Sequence, residues 1–339
     1  MFSNVLKKIV VKENLSEETM MKTMDELFEG KLTEAQIGAF MAALATKGET
    51  AEELSGAARS MRTKAKKLQI VASTIVDTCG TGGDGANTFN ISTTTAFVVA
   101  GCGVTVAKHG NRSVSSSCGS ADVLEALGVK LDVPPEVVEE AIHEIGIGFL
   151  FAPLYHGAMK HAAKPRKELG IRSLFNMLGP LTNPAGAHCQ LIGVYAPELT
   201  EMFANALKSL GARRAFVVHG HDRLDEVSVC APTRVTELAN GIIKTYDVYP
   251  EHYFGERADE ESLKGGNPTE NAAILQSILS GDEQGPKRNV VLINSAFALM
   301  AAGKAETVRE GINLARESID SGAALGKLKA LIDFTQSAS

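Results

Sequence analysis

The chain reads as an α/β protein: a small all-helical domain plus a larger α/β domain with a central, largely parallel sheet flanked by helices. Three observations predict this. Residues 1 to about 70 carry only helix signals, and from about 73 apolar strand-like runs alternate with helical stretches. The first of those runs leads into a glycine-rich stretch, Cys79–Thr93, reading CGTGGDGANTFNIST. Such alternation marks strand–helix–strand units with parallel pairing.

Size and composition allow it. A chain of 339 residues can bury a substantial core in two domains. Its 44% hydrophobic and 22% charged content is that of a globular protein. The formal net charge of −6 offers no overall positive field, so no nucleic-acid partner is expected. Cys79, Cys102, Cys118, Cys189 and Cys230 form no C-x-x-C pair, which suits reduced thiols and a cytoplasmic location. The start MFSNVLKKIV has no apolar signal segment, and no apolar stretch reaches the ~20 residues of a membrane span.

The helical domain follows from its caps. Ser16 precedes Glu17 and Glu18, acids suited to a helix N-terminus. Met20, Met21, Met24, Leu27 and Phe28 then recur at helical spacing until Gly30. This methionine stripe reads as core rather than as a ligand surface. Thr33 with Gln36, and Thr50 with Glu53, match the capping-box spacing, and Gly48 ends the helix between them. Arg62, Lys64, Lys66 and Lys67 read as the solvated last turn of a third helix. Any apolar face left over could dimerise.

The larger domain begins at Ile75 and Val76, read as the end of a buried strand. Thr94 to Ala100 is apolar enough for a buried helix, with Ser92 or Thr93 as its N-cap. Residues 103–107 read as the next strand, opening into a loop at 108–122, KHGNRSVSSSCGSAD, and a helix at Val123–Leu127 closed by Gly128. Another helix spans 134–145, with Pro135 in its first turn. Residues 151–186 are too apolar and too rich in breakers for a surface linker. They read as an excursion that packs on the N-terminal helices and walls a cleft. The expected division is therefore 1–70 plus about 158–187 for the helical domain, and 73–157 plus 188–339 for the α/β domain. A strand at 190–196, a helix near 198–210 and a strand at Ala215–His219 continue the alternation. That strand ends in GHDRLDEVS, residues 220–228. Asn240-Gly241 between two apolar runs predicts a hairpin with a type I′ turn. Residues 290–302 are apolar all round and read as a buried helix.

Three loops at strand ends carry the chemistry. Gly80, Gly82, Gly83 and Gly85 let a backbone press close to a ligand, and turned amides make a nest for phosphate. Gly80, Gly82 and Gly85 also satisfy G-x-G-x-x-G. A dinucleotide site, however, wants a helix opening at the glycines and an acid about 20 residues on, and neither is present. No Gly-Lys-Ser/Thr follows, as a nucleotide P-loop requires. The second loop offers Lys108, His109, Asn111 and Arg112 with several serines. The third offers adjacent carboxylates, Asp225 and Glu226, which near a polyphosphate most simply hold Mg²⁺. Taken singly, each feature has a blander reading as a turn, a solvated ion pair or a structural histidine. Their convergence at strand ends favours a site for a Mg–diphosphate with a sugar or further phosphate attached.

GTGGDGANTFNIST, KHGNRSVSSSCGSADVLEALG, the segment around Arg166 with NMLGPLTNPAG, and Asp225–Glu226 together resemble the anthranilate phosphoribosyltransferase family, over nearly the whole chain. The resemblance implies a fold of the nucleoside phosphorylase/phosphoribosyltransferase type and a homodimer joined through the helical domains. It places phosphoribosyl diphosphate on Gly80, Gly83, Asp84, Thr88, Asn90, Ile91, Ser92 and Thr93. It completes that site with Lys108, His109, Gly110, Asn111, Arg112, Ser113, Val114, Ser115, Ser116 and Ser120. Anthranilate is placed on Gly80, Asn111, His156 and Arg166, and Mg²⁺ on Ser92, Asp225 and Glu226 as two ions per subunit. One departure from the family pattern is His156-Gly157, where His-Pro is expected. The implied role of Lys108, Asn111 and Arg166 is electrostatic and positional, with no general base. A pyrimidine nucleoside phosphorylase on the same fold would not need the acidic pair. A nucleic-acid-binding homologue would want an extended basic surface.

Overall fold

The computed structural model describes residues 2–113 and 117–338. Its N-terminal unit is built from α1 (Phe2–Val10), α2 (Glu17–Phe28), α3 (Glu34–Lys47) and α4 (Ala51–Lys64). Ser16 accepts from the Thr19 N–H, and both expected capping boxes close, at Thr33–Gln36 and Thr50–Glu53. The Glu53 carboxylate does more than cap. It is buried, and it also accepts from Leu15 N and Lys47 Nζ, each at 2.9 Å. The sequence reading gave three helices and missed α1, which no Ser, Thr, Asp or Asn precedes in the sequence. Phe2, Val5 and Ile9 nevertheless make one buried face, with Phe2 against Phe40. Arg62 corrects the reading of a solvated basic turn: its Nε donates to Leu181 O at 2.6 Å.

The α/β part runs β1 (Ile75–Gly80), α5 (Ile91–Gly101), β2 (Thr105–Gly110), α6 (Ser120–Ala126), α7 (Pro135–Ile145) and β3 (Ile147–Phe151). The excursion contributes α8 (Ala152–Tyr155), α9 (Lys160–Leu169) and α10 (Leu174–Leu178). Then follow β4 (Cys189–Gly193), α11 (Leu199–Ser209), β5 (Arg214–Gly220), β6 (Thr233–Ala239) and β7 (Ile242–Val248). The chain closes with α12 (Glu251–Phe254), α13 (Pro268–Leu279), α14 (Pro286–Ala302), α15 (Val308–Asp320) and α16 (Ala323–Ser337).

Among the described residues the strands form one sheet in the order β3-β2-β1-β4-β5-β6-β7. The first five are mutually parallel, and β6 and β7 are antiparallel. The chain therefore builds outward from β1 to β3 on one side, then returns to place β4 on the other. That reversal between β1 and β4 is the switch point at which open α/β sheets form a ligand crevice. Positive φ at Asn240 (51°) and Gly241 (74°) gives the hairpin its type I′ turn.

Four local readings need correction. Ile75 and Val76 begin β1 rather than end it. Lys108 and His109 belong to β2, not to the loop after it, and both are buried there. The helix after the glycine loop starts at Ile91, so Asn90 holds the N-cap position, and Ser92 and Thr93 lie in the first turn. The edge strand β3 was missed; it follows α7 directly through the left-handed Gly146.

Successive residues of the sheet face opposite layers, as strand geometry requires. Leu191, Phe216 and Val218 join the layer of α5, α13, α14 and α15, where Phe216 meets Phe297 edge-on. Ile192, Val194 and Val217 join the other layer, with α11, the N-terminal helices and Leu174, Phe175, Met177 and Leu178 of α10. The excursion thus shares a core with the N-terminal helices, α9 lying on α3 and α10 on α4. None of the five cysteines is in a disulfide. No helix among the described residues is long and apolar enough to cross a membrane.

Candidate functional site

The site forms at the switch point because two glycines stand opposite each other there. Gly80 at the end of β1 is the register partner of Gly193 at the end of β4. A Cβ on Gly80 would lie 2.5 Å from Asp225 Oδ2, and one on Gly193 only 1.5 Å from Asp225 O. Both strand ends must be bare for the acidic loop after β5 to cross them. That loop is held from behind by Asn294 of α14, which accepts from Val227 N and donates to Val227 O, both at 2.9 Å.

The glycine loop closes onto the acidic loop. Gly82 N donates to Asp225 Oδ2 at 2.8 Å. Asp84 turns its own loop through Oδ1, which accepts from Ala86 N at 3.1 Å, and its Oδ2 lies 3.4 Å from Asp225 N. Tyr195 N donates to Thr81 Oγ1 at 3.2 Å, and Arg172 donates to Gly83 O. Thr88 bridges to Lys264. Asn90 ties three segments together: it donates to Cys118 O at 3.2 Å and accepts from Asn271 Nδ2 at 3.0 Å. Ile91 and Thr93 are buried in the first turn of α5.

Charge concentrates just beneath. Lys108 is 3% exposed, and its Nζ donates to Thr78 O and, at 3.3 Å, to Ser92 Oγ. Glu226 is 8% exposed. Burial pushes its carboxyl up to about 8, with Lys108 pulling down and Asp84 pushing further up. Burial, then Asp84, then Glu226 raise Asp225 well above the usual carboxylate range. Three carboxylates crowd one end of the crevice, and a cation would relieve them. Asp225, Glu226 and the Ser92 hydroxyl are all hard oxygen donors, which fits Mg²⁺. Among the described residues no group of three or more His, Cys, Asp or Glu is arranged to enclose a metal unaided. Magnesium sites of this kind usually draw their remaining oxygens from substrate phosphate and water.

The second wall starts from β2. His109 N donates to Asp77 Oδ1 at 3.1 Å, and Nδ1 faces Gly179 O at 3.1 Å. A carbonyl only accepts, so Nδ1 carries the proton and Nε2 is bare. His156 Nε2, 3.2 Å from His109 Nε2, must then be the donor. Burial depresses both imidazoles, to about 3 for His109 and about 4 for His156. They are neutral at physiological pH. Asp77 also accepts from Asn183 Nδ2 at 2.8 Å, which pins the excursion to the sheet.

Beyond β2 the predicted residues turn largely to one another. Gly110 is bare for Ser120 Oγ, which a Cβ would meet at 2.2 Å. Asn111 Oδ1 accepts from Arg112 N at 2.8 Å, and Asn111 O accepts from Ser120 Oγ at 3.2 Å. Arg112 donates to both oxygens of Glu125, at 2.8 and 3.0 Å, and to Asp122 at 3.0 Å. Asp122 also accepts from Ser113 N and Gly119 N, closing the neck of the loop. Val114, Ser115 and Ser116 lie outside the described residues. Arg166 on α9 stacks over Phe175, 5.4 Å from ring centre, and burial lowers its pKa. Among the described residues no carboxylate or carbonyl pairs with its guanidinium. Sequence reasoning missed Gly193, Asn294, Asp77 and Arg172. Only Gly193 carried a signal, as a glycine at a strand end beside the crevice.

Comparison with known proteins agrees with this architecture. The family described as "Glycosyl transferase family, helical bundle domain" matches residues 3–65, and "Glycosyl transferase family, a/b domain" matches residues 72–325. Anthranilate phosphoribosyltransferase of Desulfosudis oleivorans is 67% identical over 99% of both chains. The crystal structure of the Thermus thermophilus enzyme of that name superposes with a TM-score of 0.93 at 45% identity, covering 98% of this chain and 99% of its own. The Saccharomyces cerevisiae enzyme, in complex with PRPP and Mg, gives 0.90 at 31% identity over 99% and 98% of the two chains. In complex with 4-fluoroanthranilate, the same yeast enzyme gives 0.88 at 30% identity over 98% and 97%.

Proposed function

The chain belongs to the anthranilate phosphoribosyltransferase family, an enzyme family of tryptophan biosynthesis, and from that premise we propose its reaction and the residues that perform it. It moves the 5-phosphoribosyl group from phosphoribosyl diphosphate to the anthranilate amine and releases diphosphate, in a Mg²⁺-dependent step. The observation that carries this reading is the meeting of Asp225 with Gly80 and Gly82, which supports reading the glycine loop and the acidic pair as one phosphate and metal site. The yeast relative's complexes with PRPP and Mg and with 4-fluoroanthranilate support the same substrates here.

Asp225, Glu226 and Ser92 would hold Mg²⁺, at two positions per subunit. When bound, the metal supplies Lewis-acid stabilisation of the departing diphosphate. The amides of the glycine loop, with Thr88, Ser92 and Thr93, bind phosphate oxygens, and Lys108 adds a buried positive charge beneath them. Arg112, Ser113 and Ser120 would bind phosphate from the second loop, which requires Arg112 to leave Glu125. Arg166 faces the anthranilate carboxylate, and Asn111 and the neutral His109–His156 pair line the acceptor side. The aryl amine keeps a free lone pair, so it needs orientation more than deprotonation. Closure of the helical domain (1–70 plus about 158–187) on the α/β domain would exclude water from the activated sugar. The working form is a cytoplasmic homodimer joined through the helical domains.

Loss of anthranilate fluorescence with phosphoribosyl diphosphate, with and without Mg²⁺, tests the proposal. Consumption that needs both supports it. No consumption with both present would sink it, and consumption in full after chelation would remove the metal.

A further inference from the structure

We infer that Arg172 is a positioning residue for the diphosphate, fixing the glycine loop from the helical side of the cleft. This deepens the function proposed above and rests on reading the glycine loop as the phosphoribosyl diphosphate site.

Arg172 lies between α9 and α10, so it belongs to the excursion, yet its Nη2 donates to Gly83 O. Its guanidinium lies 4.5 Å from the centre of the Tyr195 ring, stacked as a cation on an aromatic face. Tyr195 in turn holds the same loop through its backbone, donating to Thr81 Oγ1 at 3.2 Å. Three consecutive residues are thus held from three directions: Thr81 by the end of β4, Gly82 by Asp225, and Gly83 by Arg172.

The grip on Gly83 O has a consequence fixed by covalent geometry. The described chain has no cis peptide bond. In a trans peptide the C=O and the following N–H point to opposite sides. Turning Gly83 O towards Arg172 therefore turns the Asp84 N–H to the other side of the loop. Among the described residues nothing accepts from that N–H, so it is available to an anion. This peptide lies between Gly83 and Asp84, and Gly83, at a φ of 77°, sets no side-chain bar on its side to a flip when nothing holds it. Arg172 acts by removing that freedom before substrate arrives, which lowers the ordering cost of binding.

The test uses the full-length enzyme and compares the wild type with Arg172→Ala, Arg172→Lys, Tyr195→Leu and Lys164→Ala. Lys164 is an exposed cation on the same excursion, paired with Glu34 at 2.6 Å, so it controls for loss of charge alone. Steady-state kinetics and calorimetric titration with phosphoribosyl diphosphate and Mg²⁺ are the readouts, with thermal midpoints alongside. Arg172→Ala is expected to raise KM and Kd for phosphoribosyl diphosphate by roughly three- to ten-fold. That is the scale of one exposed charge-assisted hydrogen bond plus its stacking. KM for anthranilate and the thermal midpoint should hold. Tyr195→Leu should reproduce the rise, Arg172→Lys should recover part of it, and Lys164→Ala should leave both constants alone.

An unchanged Kd in Arg172→Ala would overturn the inference. So would an equal rise in Lys164→Ala, which would make the effect one of net charge. A parallel fall in kcat, both affinities and thermal midpoint would reduce Arg172 to a structural role. A wild type unable to consume anthranilate would instead overturn the function on which the inference rests.

Discussion

The loops that leave β1 and β2 start side by side and are held in opposite ways. The glycine loop is fixed by distant partners: Asp225 lies 143 residues beyond Gly82, Tyr195 lies 114 beyond Thr81, and Arg172 lies 89 beyond Gly83. The loop after β2 is fixed by the helix that follows it, through Asp122 and Glu125. The first cannot take its shape until the sheet, the acidic loop and the excursion are all in place. Among the described residues the second leans mainly on that helix, with Asn90 also donating to Cys118 O. A loop of the first kind reports on the whole fold, so damage anywhere in its distant frame should reach the diphosphate. A loop of the second kind should yield only to changes made next to it.

Gly193→Ala should break this contrast most severely. Its new Cβ would sit 1.5 Å from a backbone oxygen that cannot rotate away, whereas Gly80→Ala would meet the end of a carboxylate at 2.5 Å. Overpacking typically costs ~1–3 kcal/mol, and a clash with backbone should reach or exceed the top of that range. Denaturant unfolding should therefore show Gly193→Ala far less stable than Gly80→Ala. Equal stabilities would mean that the acidic loop can move aside freely.

The root of the second loop should be sensitive to acid. His109 and His156 titrate at about 3 and about 4 in the fold, below the ordinary value of 6.5. As pH falls the unfolded chain takes up protons first, so the pair's contribution is intact above about 6.5 and is lost progressively towards 4. Each histidine loses on the order of 1.4 kcal/mol per pH unit within that window. Thermal midpoints of the wild type should drop on acidification more steeply than those of His156→Asn. Parallel curves would mean the imidazoles take up protons without strain.

Arg166→Ala should lose about 1.5–3 kcal/mol of charged hydrogen bonding, roughly ten- to a hundred-fold in kcat/KM for anthranilate. Arg166 lies in the excursion but outside the glycine loop's frame, so affinity for phosphoribosyl diphosphate should hold. A fall in both affinities would merge two walls that the structure keeps apart. The smallest effect is expected from Glu125→Ala. An exposed ion pair contributes at most ~1 kcal/mol, so stability should barely change. Releasing Arg112 from one of its two acids, with Asp122 still paired, should tighten phosphoribosyl diphosphate binding up to a few-fold, and weaker binding would show that Glu125 presents the guanidinium rather than detaining it.

The same contrast explains what the sequence disclosed. The capping boxes at Thr33 and Thr50 and the turn at Asn240-Gly241 were legible because their partners lie within three residues. The acidic pair was legible as chemistry, and strand order placed it next to the glycines. Lys108 and His109 were misread as loop because a charged or titratable residue argues against a buried strand. Thr78 O, Asp77 and Gly179 O, which satisfy them there, come from other segments. Arg172 and Asn294 could not be found at all: each acts on a loop more than sixty residues away in the chain. The short elements α1 and β3 lacked the length for a clear periodic signal, with nine and five residues.

The central claim is that the carboxylates of the β5–β6 loop and the glycine loop share one metal–diphosphate. Calorimetric titration of phosphoribosyl diphosphate into the wild type and into Asp225→Asn/Glu226→Gln, each with and without Mg²⁺, tests it most directly. Magnesium should strengthen binding to the wild type and make little difference to the double variant, with both proteins equally folded. The same gain from Mg²⁺ in both would contradict the account.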